Sequence, residues 1–193
     1  MIATEVAFPI AVDAERVRLV NGEDADAEAV ARFQSKNRAH FAPWEPRRPD
    51  AFYGIDFWRA QLAEDREVAK LDRRYRLFVR DRQASGEPVI GFVHFGDVVR
   101  GAFQACHLGF GIDADYQGRG YMREALEAAI GFAWSSLRLH RIEASYRPEN
   151  ERSGVLLARL GFVREGLAKD YLEIDGAWRD HVLCSLTHPA WGS

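Results

Sequence analysis

Lysine, cysteine and long hydrophobic runs are scarce in this chain of 193 residues. Three of its 26 basic residues are lysine, namely Lys36, Lys70 and Lys169, and the rest are arginine. The two cysteines, Cys106 and Cys184, form no Cys-x-x-Cys motif, which argues against a disulfide framework or a zinc site. No apolar run approaches the roughly 20 residues of a membrane-spanning helix, and the first residues lack the pattern of a secretory signal. We therefore expect a cytoplasmic protein.

The charge balance is close to neutral, and this restricts the partners. The net charge is −3 and the isoelectric point is about 6.1, which argues against a protein that coats nucleic acid non-specifically and leaves a local basic patch as an open alternative. Direct binding to nucleic acid is not indicated. Hydrophobic residues make up 47% and charged residues 28%, as in ordinary globular domains. None of the six histidines lies in an HExxH or other metal-binding spacing, so no metal is expected. The length predicts a single domain over residues 1–193, with residues 1–15 as a flexible lead-in.

Hydrophobic periodicity predicts an α+β fold with a mixed, mostly antiparallel sheet. Most predicted strands follow one another through turns, including a hairpin at Asp175-Gly176, and are expected to pair antiparallel. The fourth and fifth predicted strands are joined through a helix, which implies a parallel pair with a right-handed crossover. The roughly seven predicted strands cover Arg16–Val20, Arg76–Arg80, Val89–Val99, Phe103–Ile112, His140–Tyr146, Lys169–Ile174 and Ala177–Leu186. The predicted helices cover 24–38, Ala51–Asp72, a stretch that begins at Tyr121, and Asn150–Leu160.

The stretch Leu108–Met122 runs from a predicted strand through two glycines into a predicted helix. This layout places backbone N–H groups and a helix N-terminus in front of an anion, so we expect a phosphate-bearing ligand on Gly118–Met122. A tight strand-to-helix turn would produce the same pattern. The Rossmann fingerprint is excluded because Arg123 stands where the third glycine is required, and the P-loop is excluded because Gly-Lys-Ser/Thr is absent.

Two further motifs follow the glycine loop, and the combination of the three resembles the sequence pattern of one enzyme superfamily. Asn150-Glu151-Arg152-Ser153 and Leu160-Gly161-Phe162 come after the long predicted helix. Together with the glycine loop they strongly resemble the GNAT superfamily of acyl-CoA-dependent N-acyltransferases, and within it the RimJ/RimL branch of ribosomal-protein N-terminal acetyltransferases. Further matching segments, which extend the resemblance over most of the chain, are Pro43–Pro46, Val98–Gly101, His140–Ile142, Leu157–Phe162, Ala168–Tyr171 and Trp178–Leu183.

The resemblance implies an acetyl-CoA site between the fourth and fifth predicted strands, which splay apart in this superfamily. Asn150 would hold further groups of the cofactor, cap the next helix, or do both. Asp115 departs from the superfamily pattern, so we expect it to point away, with Arg119 or Arg123 balancing its charge. The backbone groups that would pair with the pantetheine amides belong to Phe110, Gly111 and Ile112. The N–H groups that would meet the pyrophosphate belong to Gln117, Gly118, Arg119, Gly120, Tyr121 and Met122.

The resemblance also implies direct acyl transfer from a thioester to an amine. This reaction requires a deprotonated amine, donors for an oxyanion and a proton for the departing thiolate. The tyrosine that many members use as the acid is missing, because Leu157 occupies its position. Ser153 is the replacement candidate, and its other interpretation is a capping hydroxyl. Glu45 is the favoured general base, with Asp170 and Glu173 as alternatives.

The acceptor implied by the resemblance is an N-terminal α-amine, with alanine of a ribosomal protein as the acceptor residue and the ribosome as a candidate contact. An α-amine has a pKa of about 7.7–8.0 and is partly neutral at pH 7, so a weak base is sufficient. Trp44, Phe41 and Tyr171 would shape the acceptor pocket unless they are core aromatics. Two alternatives remain open: an acetyltransferase of a small-molecule amine, and a weakly catalytic acetyl-CoA-binding factor in ribosome assembly or regulation.

Overall fold

A computed structural model of the chain describes residues 6–23 and 26–191, which form eight strands and five α-helices. The strands are β1 (Ala11–Asp13), β2 (Val17–Val20), β3 (Tyr75–Asp81), β4 (Val89–Val99), β5 (Ala105–Ile112), β6 (Arg141–Tyr146), β7 (Val163–Ile174) and β8 (Ala177–Thr187). The helices are α1 (Ala27–Lys36), α2 (Arg38–Phe41), α3 (Ile55–Lys70), α4 (Tyr121–Ser135) and α5 (Glu151–Arg159). Short 3-10 turns cover Asp50–Tyr53 and Ala114–Tyr116. Within the described ranges, no helix has both the length and the apolar character needed to cross a membrane.

The strands form one mixed sheet in the order β1-β2-β3-β4-β5-β6-β8-β7. β5 and β6 are parallel, and the other neighbouring pairs of described strands are antiparallel. α4 connects the two parallel strands, as the intervening helical pattern predicts. The expectation of a mixed, mostly antiparallel sheet is therefore confirmed.

The described chain has one strand and one helix more than predicted. The extra strand, β1, lies in the expected flexible lead-in and pairs with β2, and Ile10 beside it is buried. Residues 1–5 of that lead-in lie outside the described residues, as do residues 24 and 25 at the start of the first predicted helix. The extra helix, α2, has four residues. β7 begins at Val163, whereas the prediction placed its start at Lys169. The predicted strand was too short because the side chains of β7 are mostly exposed and show no apolar alternation.

Two hydrophobic cores lie on opposite faces of the sheet. Along β3, Leu77 and Val79 belong to one core and Phe78 to the other, as the alternation of side chains in a strand requires. The first core contains the buried side of α4, and the second contains α1 and most of the buried side of α3. Helices therefore cover both faces of the central strands. Full burial of each large apolar side chain in these cores contributes about 1.5–3 kcal/mol to stability.

β5 and β6 separate halfway along β5, as the resemblance implied. Their parallel register runs from Ala105 opposite Arg141 to Leu108 opposite Ala144 and then stops. Gly109–Ile112 continue to pair with β4, while the end of β6 pairs with β8. A V-shaped gap therefore opens in the middle of the sheet, beside the last residues of β5.

Arg100 links three connections at the opposite end of β5. Its guanidinium donates two hydrogen bonds of 2.6 Å to the carboxylate oxygens of Asp72, which follows α3. A third hydrogen bond, of 2.7 Å, goes to the carbonyl of Leu137, which follows α4. The hydroxyl of buried Tyr75 donates to the same carboxylate at 2.8 Å. A bidentate, charge-assisted arrangement of this kind stabilises a fold more than a single exposed ion pair does.

Replacing Arg100 with methionine should lower the free energy of unfolding by about 1–3 kcal/mol, because the carboxylate of Asp72 loses its two guanidinium donors and the carbonyl of Leu137 loses its donor. Arg59→Met is the matched control, since Arg59 is exposed on α3 and pairs with Asp56 on the same helix. Chemical denaturation of both variants measures the difference. Equal denaturation midpoints for the two variants would contradict a stabilising role for the Arg100 network.

Candidate active site

A cleft of about 1260 Å³ opens where β5 and β6 separate, and most of the predicted site residues line it. Arg119, Tyr121 and Tyr171 are not among the lining residues. The predicted residues that do line the cleft are Phe41, Trp44, Glu45, Phe110, Gly111, Ile112, Gln117, Gly118, Gly120, Met122, Asn150 and Ser153.

The floor of the cleft is a strand edge that contains two glycines, Gly109 and Gly111. Gly109–Ile112 are half-buried, and beyond Leu108 this edge of β5 has no partner strand among the described residues. A Cβ atom at Gly111 would lie 2.6 Å from the ring of Phe92, so a side chain does not fit there. Backbone N–H and C=O groups at such an edge require hydrogen-bond partners. An extended ligand with amide groups can supply them.

The connection from β5 to α4 can bind an anion. The chain passes through Gly118 at φ 69° and Gly120 at φ 83°, and α4 starts at Tyr121. Both glycines adopt the left-handed region that other residues avoid. A Cβ atom on Gly118 would meet nothing within 4 Å beyond its chain neighbours, so its outer side is open. The first N–H groups of a helix have no partner within it, and the helix dipole favours negative charge in front of them.

Side chains behind the glycine loop fix its position. Arg16 donates from its backbone N–H and its Nε to the carboxylate of Glu124 on α4, at 2.6 and 2.7 Å, and from Nη1 to the carbonyl of Arg119 at 3.0 Å. The guanidinium of Arg16 lies 4.5 Å from the ring centroid of buried Tyr121, and that of Arg119 lies 5.4 Å from the same ring. The side chains of Arg119 and Tyr121 thus support the loop. The sequence analysis expected the backbone N–H groups of these two residues to bind the pyrophosphate, and that role stays a prediction.

The charge of Asp115 is balanced by Lys36 at the end of α1. The Nζ atom of Lys36 lies 2.7 Å from the carboxylate of Asp115 and 2.8 Å from that of Asp113, which is buried. Burial opposes the ionisation of Asp113, but the hydrogen bond from Lys36 and others around it outweigh burial and lower the pKa of Asp113. The expectation that Arg119 or Arg123 balances Asp115 is wrong, because α1 brings a lysine that is distant in sequence to this turn.

The far wall of the cleft is the first turn of α5. The side chain of Asn150 accepts a hydrogen bond of 3.3 Å from the backbone N–H of Ser153, so Asn150 caps the helix. Because this contact uses the backbone of Ser153, its hydroxyl is available to a ligand in the cleft. Leu157 is 1% exposed and packs in the first core. The position of the usual tyrosine therefore presents no proton donor to the cleft.

Tyr146, at the end of β6, is a lining residue that sequence reasoning missed. Its ring packs on the backbone of α5, since a Cβ atom at Gly154 would lie 2.7 Å from a ring carbon and 2.9 Å from the hydroxyl oxygen. Gly154 is therefore required for this close approach. The signal in the sequence was an aromatic hydroxyl at the last position of a predicted strand beside the gap.

A polar bridge next to the glycine loop was also missed. Arg152 of α5 donates a hydrogen bond of 2.6 Å to the amide oxygen of Gln117, whose amide nitrogen lies 3.1 Å from Nε2 of His40. Arg123 and Arg159 line the cleft as well. Arg123 pairs with Glu127 at 2.9 Å, and Glu149 and Glu151 also line the cleft, so the cleft-lining guanidinium that bonds a residue beside the glycine loop is that of Arg152. The sequence did offer a signal for this bridge, since the motif that starts α5 contains a basic residue, Arg152.

Two long-range contacts fix the proline-rich segment Pro43–Pro46 beside the cleft. Asp175, in the β7–β8 turn, donates its backbone N–H to the carbonyl of Glu45 at 3.1 Å. Arg147, which follows β6, donates a hydrogen bond of 2.6 Å to the carbonyl of Pro43, and its guanidinium lies 5.5 Å from the ring centroid of Trp44. The far side of the gap therefore sets the position of Glu45.

The carboxylate of Glu45 is mostly buried, with 21% of its side chain exposed. Burial raises the pKa of Glu45 above its ordinary value, and the positive charges of Arg48 and Arg76 offset this effect only in part. A carboxylate with a raised pKa is a better proton acceptor near neutral pH. Glu45 therefore presents a largely buried carboxylate with a raised pKa to the cleft, and its role as the general base stays a prediction.

The structure does not bring the predicted β7 residues to the cleft. The ring of Tyr171 packs against that of His181 on β8, with centroids 5.8 Å apart. Asp170 and Glu173, the alternative bases, are absent from the cleft lining. β7 contains a bulge here, where Asp170 has φ 46°, and a bulge changes the direction of the side chains around it. A bulge depends on the register with β8, which the sequence of β7 alone does not define.

Comparison with known proteins identifies the family. Residues 16–163 match the family described as "Acetyltransferase (GNAT) domain". The chain is 46% identical over 175 residues to the ribosomal protein uS5-alanine N-acetyltransferase of Escherichia coli, which covers 91% of this chain and 88% of that protein.

Solved structures agree with this match over nearly the whole chain. The ribosomal-protein-S5-alanine acetyltransferase from Vibrio fischeri superposes with a TM-score of 0.89 at 38% identity, covering 95% of this chain and 100% of that one. Mycobacterium smegmatis RimJ in complex with CoA-disulfide superposes with a TM-score of 0.88 at 30% identity, covering 96% and 91%. The chain therefore belongs to the GNAT family and is an acetyl-CoA-dependent N-acetyltransferase.

Proposed function

We propose that the protein transfers an acetyl group from acetyl-CoA to the N-terminal α-amine of a ribosomal protein, with alanine as the acceptor residue. The observation that carries this proposal is the 46% identity, over 91% of the chain, to the E. coli enzyme named for that activity. The cleft supports it, since it combines an anion-binding loop, an unpaired strand edge and a carboxylate.

The donor acetyl-CoA suits the chemistry of the cleft. Its pantetheine arm carries amides, which would pair with the backbone groups of Phe110–Ile112. Its pyrophosphate would accept hydrogen bonds from the N–H groups of Gln117–Met122 at the start of α4. Asn150 and Arg152 would add hydrogen bonds to the cofactor. Bound in this way, the thioester would lie in the gap between β5 and β6, and the acceptor would enter beside Trp44.

Attack on the thioester requires a neutral amine. An α-amine with a pKa of about 7.7–8.0 is partly neutral at pH 7, whereas a lysine amine near 10.4 is almost fully protonated. Glu45 would take the proton from the α-amine, directly or through one water molecule. The raised pKa that burial causes at Glu45 supports this role.

Collapse of the tetrahedral intermediate requires a proton for the departing thiolate. Ser153 would supply this proton, since its backbone N–H makes the capping contact and its hydroxyl is available. Backbone N–H groups at the open edge of β5 would stabilise the oxyanion. The acetyl group would pass directly from sulfur to nitrogen in a ternary complex.

A panel of acceptors tests the proposed function. A peptide that begins with alanine should be acetylated with a kcat/KM at least about tenfold above the values for polyamines, free amino acids and aminoglycosides. The same peptide with a blocked N-terminus is the control and should be inert. In a deletion strain, intact-mass analysis should show one ribosomal protein that has lost a single acetyl group.

The other outcomes of this panel identify the alternatives. A preference for small amines over the peptide would contradict the proposal and favour a small-molecule acetyltransferase. Acetyl-CoA binding without turnover of any acceptor would favour a regulatory or assembly factor.

Replacing Ser153 with alanine should lower turnover about 10²-fold, because the thiolate loses its proton donor. Binding of acetyl-CoA, measured by calorimetry, should be retained, since the capping contact uses the backbone of residue 153. Ser135→Ala is the control, because Ser135 is exposed on α4 and its hydroxyl bonds the carbonyl of Gly131 within the same helix. Unchanged turnover in Ser153→Ala would remove this residue from the mechanism.

Replacing Glu45 with glutamine should lower kcat/KM about 10²-fold and change its pH dependence. Because burial raises the pKa of Glu45, its active, ionised form accumulates only as the pH rises through that raised value. The wild-type rate should therefore increase with pH through two ionisations, of Glu45 and of the α-amine, and the variant should retain the second alone. Glu28→Gln on α1, where Glu28 is exposed, is the control. A wild-type pH profile in Glu45→Gln would mean that the base lies elsewhere.

A further inference from the structure

A row of residues leads from the floor of the cleft to a group of basic side chains. Gly109 of β5, His94 of β4 and Arg76 of β3 are directly opposite one another in the sheet register, and they therefore share one face. Arg48, which follows the segment that carries Glu45, lines the same cleft. We call Arg48, Arg76 and His94 the basic end of the cleft.

The guanidinium of Arg76 shares its carboxylate partner. Asp65 of α3 is buried and accepts hydrogen bonds of 2.9 Å from both Arg76 and Arg74. Glu64 adds a contact of 3.2 Å to Arg74 but none to Arg76 among the described residues. Burial lowers the pKa of Arg76, and the positive charges of Arg74 and Arg48 add to this effect. The attraction of Asp65 and Glu64 opposes this lowering of the pKa only in part.

Arg48 has donors available for a ligand. Its Nε forms an ion pair with the carboxylate of Glu45 at 3.7 Å, a distance longer than a hydrogen bond. Its guanidinium lies 4.9 Å from the ring centroid of Phe52, and 40% of its side chain is exposed. A guanidinium in this position can present the N–H groups along its edge to a carboxylate in the cleft.

Two buried polar atoms at the same end also lack a partner among the described residues, namely Nε2 of His94 and Nε1 of Trp58. Burial and the positive charges of Arg76, Arg74 and Arg48 lower the pKa of His94 to about 3. His94 is therefore neutral at physiological pH, and its environment is one of positive potential. The positive charges around His94 would stabilise a bound anion and would oppose the binding of a further cation.

We infer that the basic end of the cleft binds a carboxylate of the acceptor, carried by an acidic side chain a few residues behind the N-terminal amine. Arg76 lies two strand spacings, about 10 Å, from Gly109 on the floor of the cleft. About three extended residues span that distance, so the acidic residue is expected at position 2, 3 or 4. Glu45 would face the amine while Arg48 faces the carboxylate. This inference rests on the proposed function, because it requires a peptide acceptor.

Matched peptides test the inference. Each peptide begins with alanine and carries either glutamate or glutamine at position 2, 3 or 4, with every other residue neutral. For at least one position, the wild-type kcat/KM for the glutamate peptide should exceed that for its glutamine match by about 10- to 100-fold, as expected for a charge-assisted hydrogen bond. Arg48→Gln should remove this preference, so that the ratio of the two kcat/KM values within this variant falls to about one. Arg59→Gln, an exposed change on α3, should retain the preference.

Arg48→Lys provides a second variant that keeps the charge but loses the bidentate geometry. It should show a glutamate preference several-fold below that of the wild type, and it serves in place of Arg48→Gln if thermal unfolding shows that the glutamine variant does not fold.

The outcomes separate the inference from the proposed function. Equal rates with glutamate and glutamine peptides, or a preference that survives unchanged in the Arg48 variants, would overturn the inference and leave the proposed function intact. Acetylation of small amines but of no alanine peptide would overturn both. A preference that is present in the wild type, lost with Arg48 and unaffected by Arg59→Gln would establish the carboxylate site.

Discussion

The early end of the β5–β6 pairing is the constraint on which the whole site depends. Past Leu108 and Ala144 the two strands diverge, although each continues to pair with its outer neighbour. The divergence exposes backbone donors and acceptors in the middle of a sheet, where an unpaired group is costly unless a ligand or water satisfies it. A ligand with amide groups can take the place of the missing strand. Glycines at 109 and 111 keep this edge accessible, because they add no side chain to it.

Contacts between distant segments fix the two ends of the gap. Arg16 and Lys36 fix the position of the glycine loop. Arg16 donates hydrogen bonds to the carbonyl of Arg119 and the carboxylate of Glu124. Lys36 donates to the carboxylate of Asp113. Arg147 and Asp175 fix the segment that carries Glu45, through hydrogen bonds to backbone carbonyls. The glycine loop and the segment that carries Glu45 are therefore positioned by separate sets of contacts.

Elements with a strong local pattern were predictable from the chain alone. α4 follows from its 3.6-residue periodicity, the β7–β8 hairpin from Asp175-Gly176, and the parallel pair from the helix that joins its strands. β1 was missed because three residues are too few to show a period. β7 was predicted too short because an exposed edge strand has no buried face to mark it. The direction of Tyr171 depends on a bulge, and bulges arise from pairing rather than from composition.

Local residue patterns were thus enough to define the glycine loop, the helix cap at Asn150 and the order of the elements other than β1 and α2, since backbone preference and side-chain periodicity act over a few residues. The folded chain alone decided which charges meet. Lys36 rather than a neighbouring arginine balances Asp115, and a turn at Asp175 fixes Glu45 from the other side of the gap. Arg76 and His94 become neighbours through strand register, across residues that are far apart in the chain. Burial and ion pairing depend on distance in space, and that distance exists only once the sheet has formed.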